Sequence, residues 1–150
     1  PVPLRQERGV VTVAFVDTGA WLAMAVRRDQ YHEAAAQYYR QLSSARTRLL
    51  TSNYVLVETF TRIRYDGGHL PAVQFHNILE RAVDEGYLEV EWVNRQTHEE
   101  AWSLFEKYSD QTFSVVDCTS FVIARAAGVD EVFGFDHGFE TMGFLLRPGW

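Results

Sequence analysis

The sequence predicts an α/β domain built on a mainly parallel central sheet with helices on both faces. Three observations lead there. Residues 10–16 hold Val10, Val11, Val13, Phe15 and Val16 in a short, nearly continuous apolar run, which suits a strand covered on both faces. Stretches with apolar residues at helical spacing separate such runs along the whole chain, the pattern of a wound sheet. With 150 residues, 47% of them apolar, the chain buries roughly two-thirds of its unfolded surface and one core suffices.

Element by element, Asp17-Thr18-Gly19 ends the first strand and residues 21–26 read as a short helix. Residues 31–43 form a helix carrying Ala35, Tyr38, Tyr39 and Leu42 at helical spacing. Leu49-Leu50-Thr51 is a short strand, after which Ser52 or Asn53 caps a helix that runs to Tyr65 and stops at Asp66-Gly67-Gly68. Pro71 suits the first turn of the next helix, which ends at Gly86. Residues 87–93 alternate through Leu88, Val90 and Trp92 and read as a strand. Thr97 and Glu100 form a capping-box pattern ahead of Ala101, Leu104, Phe105 and Tyr108. Residues 115–127 are helical and stop at Gly128; residues 132–135 are a strand ended by Asp136-His137-Gly138; residues 144–146 close the sheet. Residues 1–9, polar with two prolines, read as a loose N-terminal extension, and residues 10–150 as a single domain.

Composition excludes several classes. One cysteine, Cys118, permits no internal disulfide and suits a reducing compartment. The five histidines have no second cysteine to join in a structural zinc finger. No run approaches the roughly 20 apolar residues of a membrane span, and the start of the chain lacks a signal-peptide core, so a cytoplasmic location without membrane contact is expected. A net charge of −6 argues against a broadly basic nucleic-acid coat. It is compatible with a nuclease whose acidic ligands hold a cation.

Four acids occupy positions that ordinary surface residues do not. Asp17 follows the first strand and Asp136 the fourth, at the edge where parallel sheets bind ligands. The alternative for each is a cap on the next helix. Glu58 stands behind Tyr54 and Val55, and Asp117 shares a helix face with Phe121 and Ala124. Burying a carboxylate is costly unless it is paired or binds a metal. The alternative partners are Arg62 for Glu58 and Arg125 for Asp117. If the four converge, their repulsion raises their pKa values, and a divalent cation relieves it. An all-oxygen donor set favours Mg²⁺ or Mn²⁺ over zinc. Such ions polarise phosphoryl oxygens and activate water, so phosphodiester hydrolysis is the chemistry expected.

The motifs Val-Asp17-Thr18, Ser52-Asn53-Tyr-Val-Leu-Val-Glu58, Phe-Ser114-Val-Val-Asp117-Cys-Thr-Ser120 and Phe-Asp136-His137-Gly-Phe, in this order, resemble the PIN-domain nucleases, and within them the VapC-type toxins of toxin–antitoxin pairs. The resemblance runs from about Val11 to Leu146. It implies a three-layer PIN-like α/β domain, a Mg²⁺- or Mn²⁺-dependent ribonuclease acting on RNA, and a homodimer held by an antitoxin protein. It also implies that Asp17, Glu58, Asp117 and Asp136 are the catalytic, metal-binding acids and that Thr18 holds ligand water. An antitoxin arginine reaching the acids would compete with the metal.

Other readings fit less well. A haloacid-dehalogenase-type phosphatase needs a second Asp at position 19, which is Gly19. A receiver domain needs a late-strand lysine, whereas Lys107 lies in a helical stretch; the P-loop is missing. A catalytically inactive PIN-like binding module is the non-enzyme alternative. His137 reads as a loop residue beside Asp136, His69 and His76 as solvated, Cys118 as a buried filler, and Trp21, Trp92 and Trp102 as core. Arg46 with Arg48, and Arg62 with Arg64, read as solvated pairs, with an RNA path as the alternative.

Overall fold

The structure, a computed structural model, describes residues 12–149. In chain order the elements are β1 (Val13–Val16), α1 (Thr18–Ala25), α2 (His32–Ser44), β2 (Arg48–Ser52), α3 (Asn53–Gly67), α4 (His69–Asp84), β3 (Leu88–Glu91), α5 (Arg95–Lys107), α6 (Val115–Ala127), β4 (Glu131–Gly134), α7 (Gly138–Thr141) and β5 (Leu146–Pro148). The expected extension at residues 1–9, and the first strand's start at Val10 and Val11, fall outside the described residues.

The five strands form one sheet in the order β3-β2-β1-β4-β5, every pair parallel. β1 is central, with Phe15 opposite Leu50 on one side and Val132 on the other. Ala14, Phe15, Val16, Val132 and Phe133 are fully buried, as a strand covered on both faces requires. α1 packs on α2 and α3, and α6 on α5 and α3. Because the strands are parallel, their C-terminal ends share one edge. Asp17 N donates to Phe133 O at 3.0 Å, which carries the ladder one residue past β1 and fixes the position of Asp17 at that edge.

An aromatic cluster ties α6 to α7. Phe121 meets Phe113 edge-on at 4.9 Å and Phe139 at 5.1 Å. Burying each phenyl ring stabilises by roughly 1.5–3 kcal/mol, so the segments carrying Asp117 and Asp136 are held by packing.

Most expected elements are present, and four details differ. The capping residue of α5 is Asn94, whose side chain accepts from Thr97 N at 2.9 Å; Thr97 lies inside the first turn. Asn94 precedes the helix and carries a better-placed acceptor. The short helix α7 follows Asp136, where the sequence shows only a strand end. The last strand begins at Leu146, because Phe144 turns inward onto Phe139 and Phe121. Trp21 is buried, but Trp92 and Trp102 are 69% and 45% exposed.

Candidate active site

Asp17 ends β1 with 5% of its surface exposed. Its backbone carbonyl accepts from Ala20 N and Trp21 N and so begins α1, yet its carboxylate makes no capping hydrogen bond. The cap alternative therefore fails for this side chain. A Cβ on Gly134 would come within 3.2 Å of Asp17 Cβ, so glycine at the end of β4 gives Asp17 its room.

Asp117 lies in the first turn of α6 within a capping box. Ser114 Oγ accepts from Asp117 N, and Asp117 Oδ2 accepts from Ser114 N, each at 2.9 Å. Arg125, the alternative partner, donates instead to Met142 O at 2.6 Å. Asp136 is exposed, and its Oδ1 accepts from Gly138 N at 2.8 Å in the turn before α7. A Cβ at Gly138 would press on Phe113 at 3.0 Å and on Asp136 Oδ1 at 3.2 Å. Glu58, half-buried on α3, accepts from the Thr18 hydroxyl at 2.8 Å. That bond ties α3 to the start of α1, and it commits the hydroxyl that the family resemblance would give to ligand water.

The electrostatics show that the four acids share one locus. Burial pushes the Asp17 carboxyl up to about 8, and the charges of Asp117, Asp136 and Glu58 add to the rise; the nearby Thr18 backbone N–H opposes it. Burial likewise pushes Asp117 up to about 6, with Asp136 and Glu58 adding and Ser114 opposing. As they stand, no three histidine, cysteine or acidic side chains among the described residues form a ready metal cage. Like charges with no counter-charge between them gain by standing apart. The donor chemistry nevertheless fits a hard divalent cation: four carboxylates, one of them buried, with only backbone N–H groups and hydroxyls as neutralising neighbours.

The remaining sequence candidates lie to the side. Cys118 is buried, and burial, with Asp117 beside it, pushes its thiol up to about 11, so it is no nucleophile. His137 Nδ1 lies 2.6 Å from Glu140 Oε1 in α7. His69 is exposed and pairs with Arg64, and His76 is exposed against Phe60 and Glu80. Arg46 and Arg48 stand at the N-terminal end of β2, the opposite edge from the acids. Sequence reasoning missed the Ser114–Asp117 box, although Ser-Val-Val-Asp carries its signature. It also missed the Tyr54 hydroxyl, 3.2 Å from His98 Nδ1, which no spacing rule across two helices could reveal.

Comparison with known proteins agrees with this fold. The PIN domain family model matches residues 14–145. A "23S rRNA-specific endonuclease VapC20" of Mycobacterium tuberculosis is 33% identical over 135 residues, covering 89% of this chain and 98% of its own. A "VapC ribonuclease" of Archaeoglobus fulgidus is 28% identical over 114 residues, covering 75% of this chain and 70% of that protein. The crystal structure of Mycobacterium tuberculosis VapC20, described as a sarcin-ricin loop cleaving toxin, matches with a TM-score of 0.75 at 30% identity, covering 89% of this chain and 97% of that one.

Proposed function

The chain belongs to the PIN-domain family, and from that premise we propose that it is a metal-dependent ribonuclease that hydrolyses RNA phosphodiesters as the toxin of a toxin–antitoxin pair. The observation that carries this reading is Asp17: a buried carboxylate, pressed by three further carboxylates. Folding alone gains nothing from such an arrangement. The names of its relatives supply the substrate class, RNA.

Asp17, Asp117 and Asp136, with Glu58, would hold Mg²⁺ or Mn²⁺. Bound there, the ion supplies Lewis acidity toward phosphoryl oxygens and lowers the pKa of water. The chain's own residues prepare that position. The ladder bond to Phe133 O anchors Asp17, and the Ser114 N–H aims the carboxylate of Asp117. The Gly138 N–H turns Asp136, and Thr18 orients Glu58. Without a cation the four acids repel the phosphates of RNA, so the locus admits a phosphodiester only when its charge is answered.

Partner binding belongs to the same proposal. We expect a homodimer in the cytoplasm and an antitoxin segment whose arginine reaches the acids. Exposed Tyr39, Val57 and Tyr65 supply apolar surface for such contacts. A groove lined by Trp21, Met24, Tyr39, Phe75, Ile78 and Tyr87 supplies more. No helix among the described residues is long and apolar enough to cross a membrane.

The test is cleavage of RNA by the purified chain in Mg²⁺, in Mn²⁺ and in EDTA. Cleavage with either ion and none in EDTA is the expected result. Equal cleavage in EDTA would remove the metal from the reading, and no cleavage under any condition would remove the enzyme.

A further inference from the structure

Trp102 and Phe105 stand on one flank of α5 with their rings stacked, centroids 5.1 Å apart and planes 26° from parallel. They are 45% and 37% exposed. α5 seats itself through the neighbouring stripe, where Ala101 is buried and Leu104 and Tyr108 are half-buried. The stacked pair is therefore aromatic surface that the packing of its own helix does not use.

Its position links it to the acids. One turn before Trp102, the His98 ring lies 6.2 Å from the Tyr54 ring, and the Tyr54 hydroxyl is 3.2 Å from His98 Nδ1. Tyr54 lies one turn before Glu58 on the same face of α3. The flank thus leads from Phe105 through Trp102, His98 and Tyr54 to Glu58, each step spanning about 5–6 Å. A shallow hollow lined by His98, Glu99, Trp102 and Ser103 opens beside the indole.

We infer that this flank of α5 is a stacking platform for unpaired bases of the RNA substrate, an inference that rests on the ribonuclease reading above. The local chemistry selects bases over backbone. Exposed Glu100 and Glu106 repel phosphates from the middle of the helix and leave Arg95 and Lys107 at its two ends to meet them, whereas the uncharged face of a base stacks on an aromatic ring whatever its sequence. The area argues against a second copy of the chain as occupant. Large aromatic side chains offer roughly 150–250 Å² each, so the exposed parts of Trp102 and Phe105 sum to less than about 200 Å². A stable dimer buries about 800 Å² per partner.

The experiment compares the full-length parent, Trp102→Ala and Trp102→Phe in Mn²⁺. The probes are a short RNA hairpin and the same hairpin with abasic sites in its loop. Trp102→Ala should raise KM on the intact hairpin roughly tenfold, with kcat within about twofold of the parent. Trp102→Phe should keep most of the affinity. On the abasic hairpin all three chains should behave alike, which also shows that the variants are folded. If Trp102→Ala matches the parent on the intact hairpin, the platform is wrong while the ribonuclease stands. If Trp102→Ala turns a sedimenting dimer into a monomer without changing KM, the flank belongs to a second copy and the platform is again wrong. A parent that cleaves neither probe, nor any other RNA, defeats the ribonuclease reading and the platform together.

Discussion

Two sets of buried polar groups meet at the end of β1. Beneath the sheet edge, Trp21 Nε1 donates to Thr51 Oγ1, which donates to Val16 O. Nearby, Ser52 accepts from Val55 N, Thr59 donates to Val55 O and Thr119 to Val116 O. Each of these groups is enclosed and answered, as a buried dipole must be. Ser120 is the exception among the described residues, its hydroxyl enclosed with no partner. One residue beyond Val16, Asp17 is equally enclosed but is met by carboxylates of its own sign. The same few residues of chain thus hold a polar network that folding satisfies and an ionisable one that folding leaves in conflict. The first supports the sheet; the second is where an external cation gains most.

The largest expected effect breaks the acid side of this comparison. Asp17→Asn and Asp117→Asn keep shape and remove charge, so each should cut RNA cleavage by about two orders of magnitude or more with the fold intact. Cleavage assays in Mn²⁺ with circular dichroism on the same samples check this. Parent-like rates in both variants would make the acids structural.

The satisfied side should respond in stability instead. Thr51→Val leaves the Trp21 N–H without its acceptor and should lower unfolding free energy by ~1–3 kcal/mol, read from urea denaturation. Its cleavage rate per folded molecule should not change. A large loss of rate at unchanged stability would mean that the two networks are not separable.

Ser114→Ala tests the cap that holds Asp117. The lost cap should cost ~0.5–2 kcal/mol. Cleavage should persist, because the backbone N–H that aims Asp117 remains. A collapse of activity here would assign the hydroxyl itself to the chemistry.

A further effect is in pH. Burial and the neighbouring carboxylates push Asp17 up to about 8 in the folded chain, against 3.8 for an ordinary aspartate. Between these values the folded chain keeps a proton that the unfolded chain has lost. Raising the pH therefore favours unfolding through this range. The contribution is full below about pH 4 and gone above about pH 8. In chelator, the Tm of the parent should fall relative to Asp17→Asn as pH rises across that window. A constant difference would show that the carboxyl is not perturbed.

The fold was legible because the short apolar runs at 10–16, 49–51 and 132–135 and the helical spacings between them obey separate periods. The four acids were legible for a related reason: a carboxylate after a strand, or between apolar helix neighbours, stands out against pattern. What stayed hidden depends on tertiary placement. Asn94 and Thr97 are both plausible caps until the path of the chain selects one. Trp102 reads as core because indole usually is, and only the packing of α5 through Ala101 turns it outward. The Thr18–Glu58 bond joins residues 40 apart and leaves no local trace.

The sheet order has a consequence for how the protein is made. β1, which carries Asp17, pairs with β4, and Asp130 accepts from Val13 N across 117 residues of chain. A growing polypeptide holds Asp17 and Glu58 long before β4 exists, but it cannot complete the register that places Asp17 until residues beyond Phe133 are free of the ribosome. Pairings of such long range form late. Until then the emerging chain lacks the placed Asp17 of the candidate site. The candidate site is therefore assembled only when the two sides of the sheet, far apart in sequence, have met on β1.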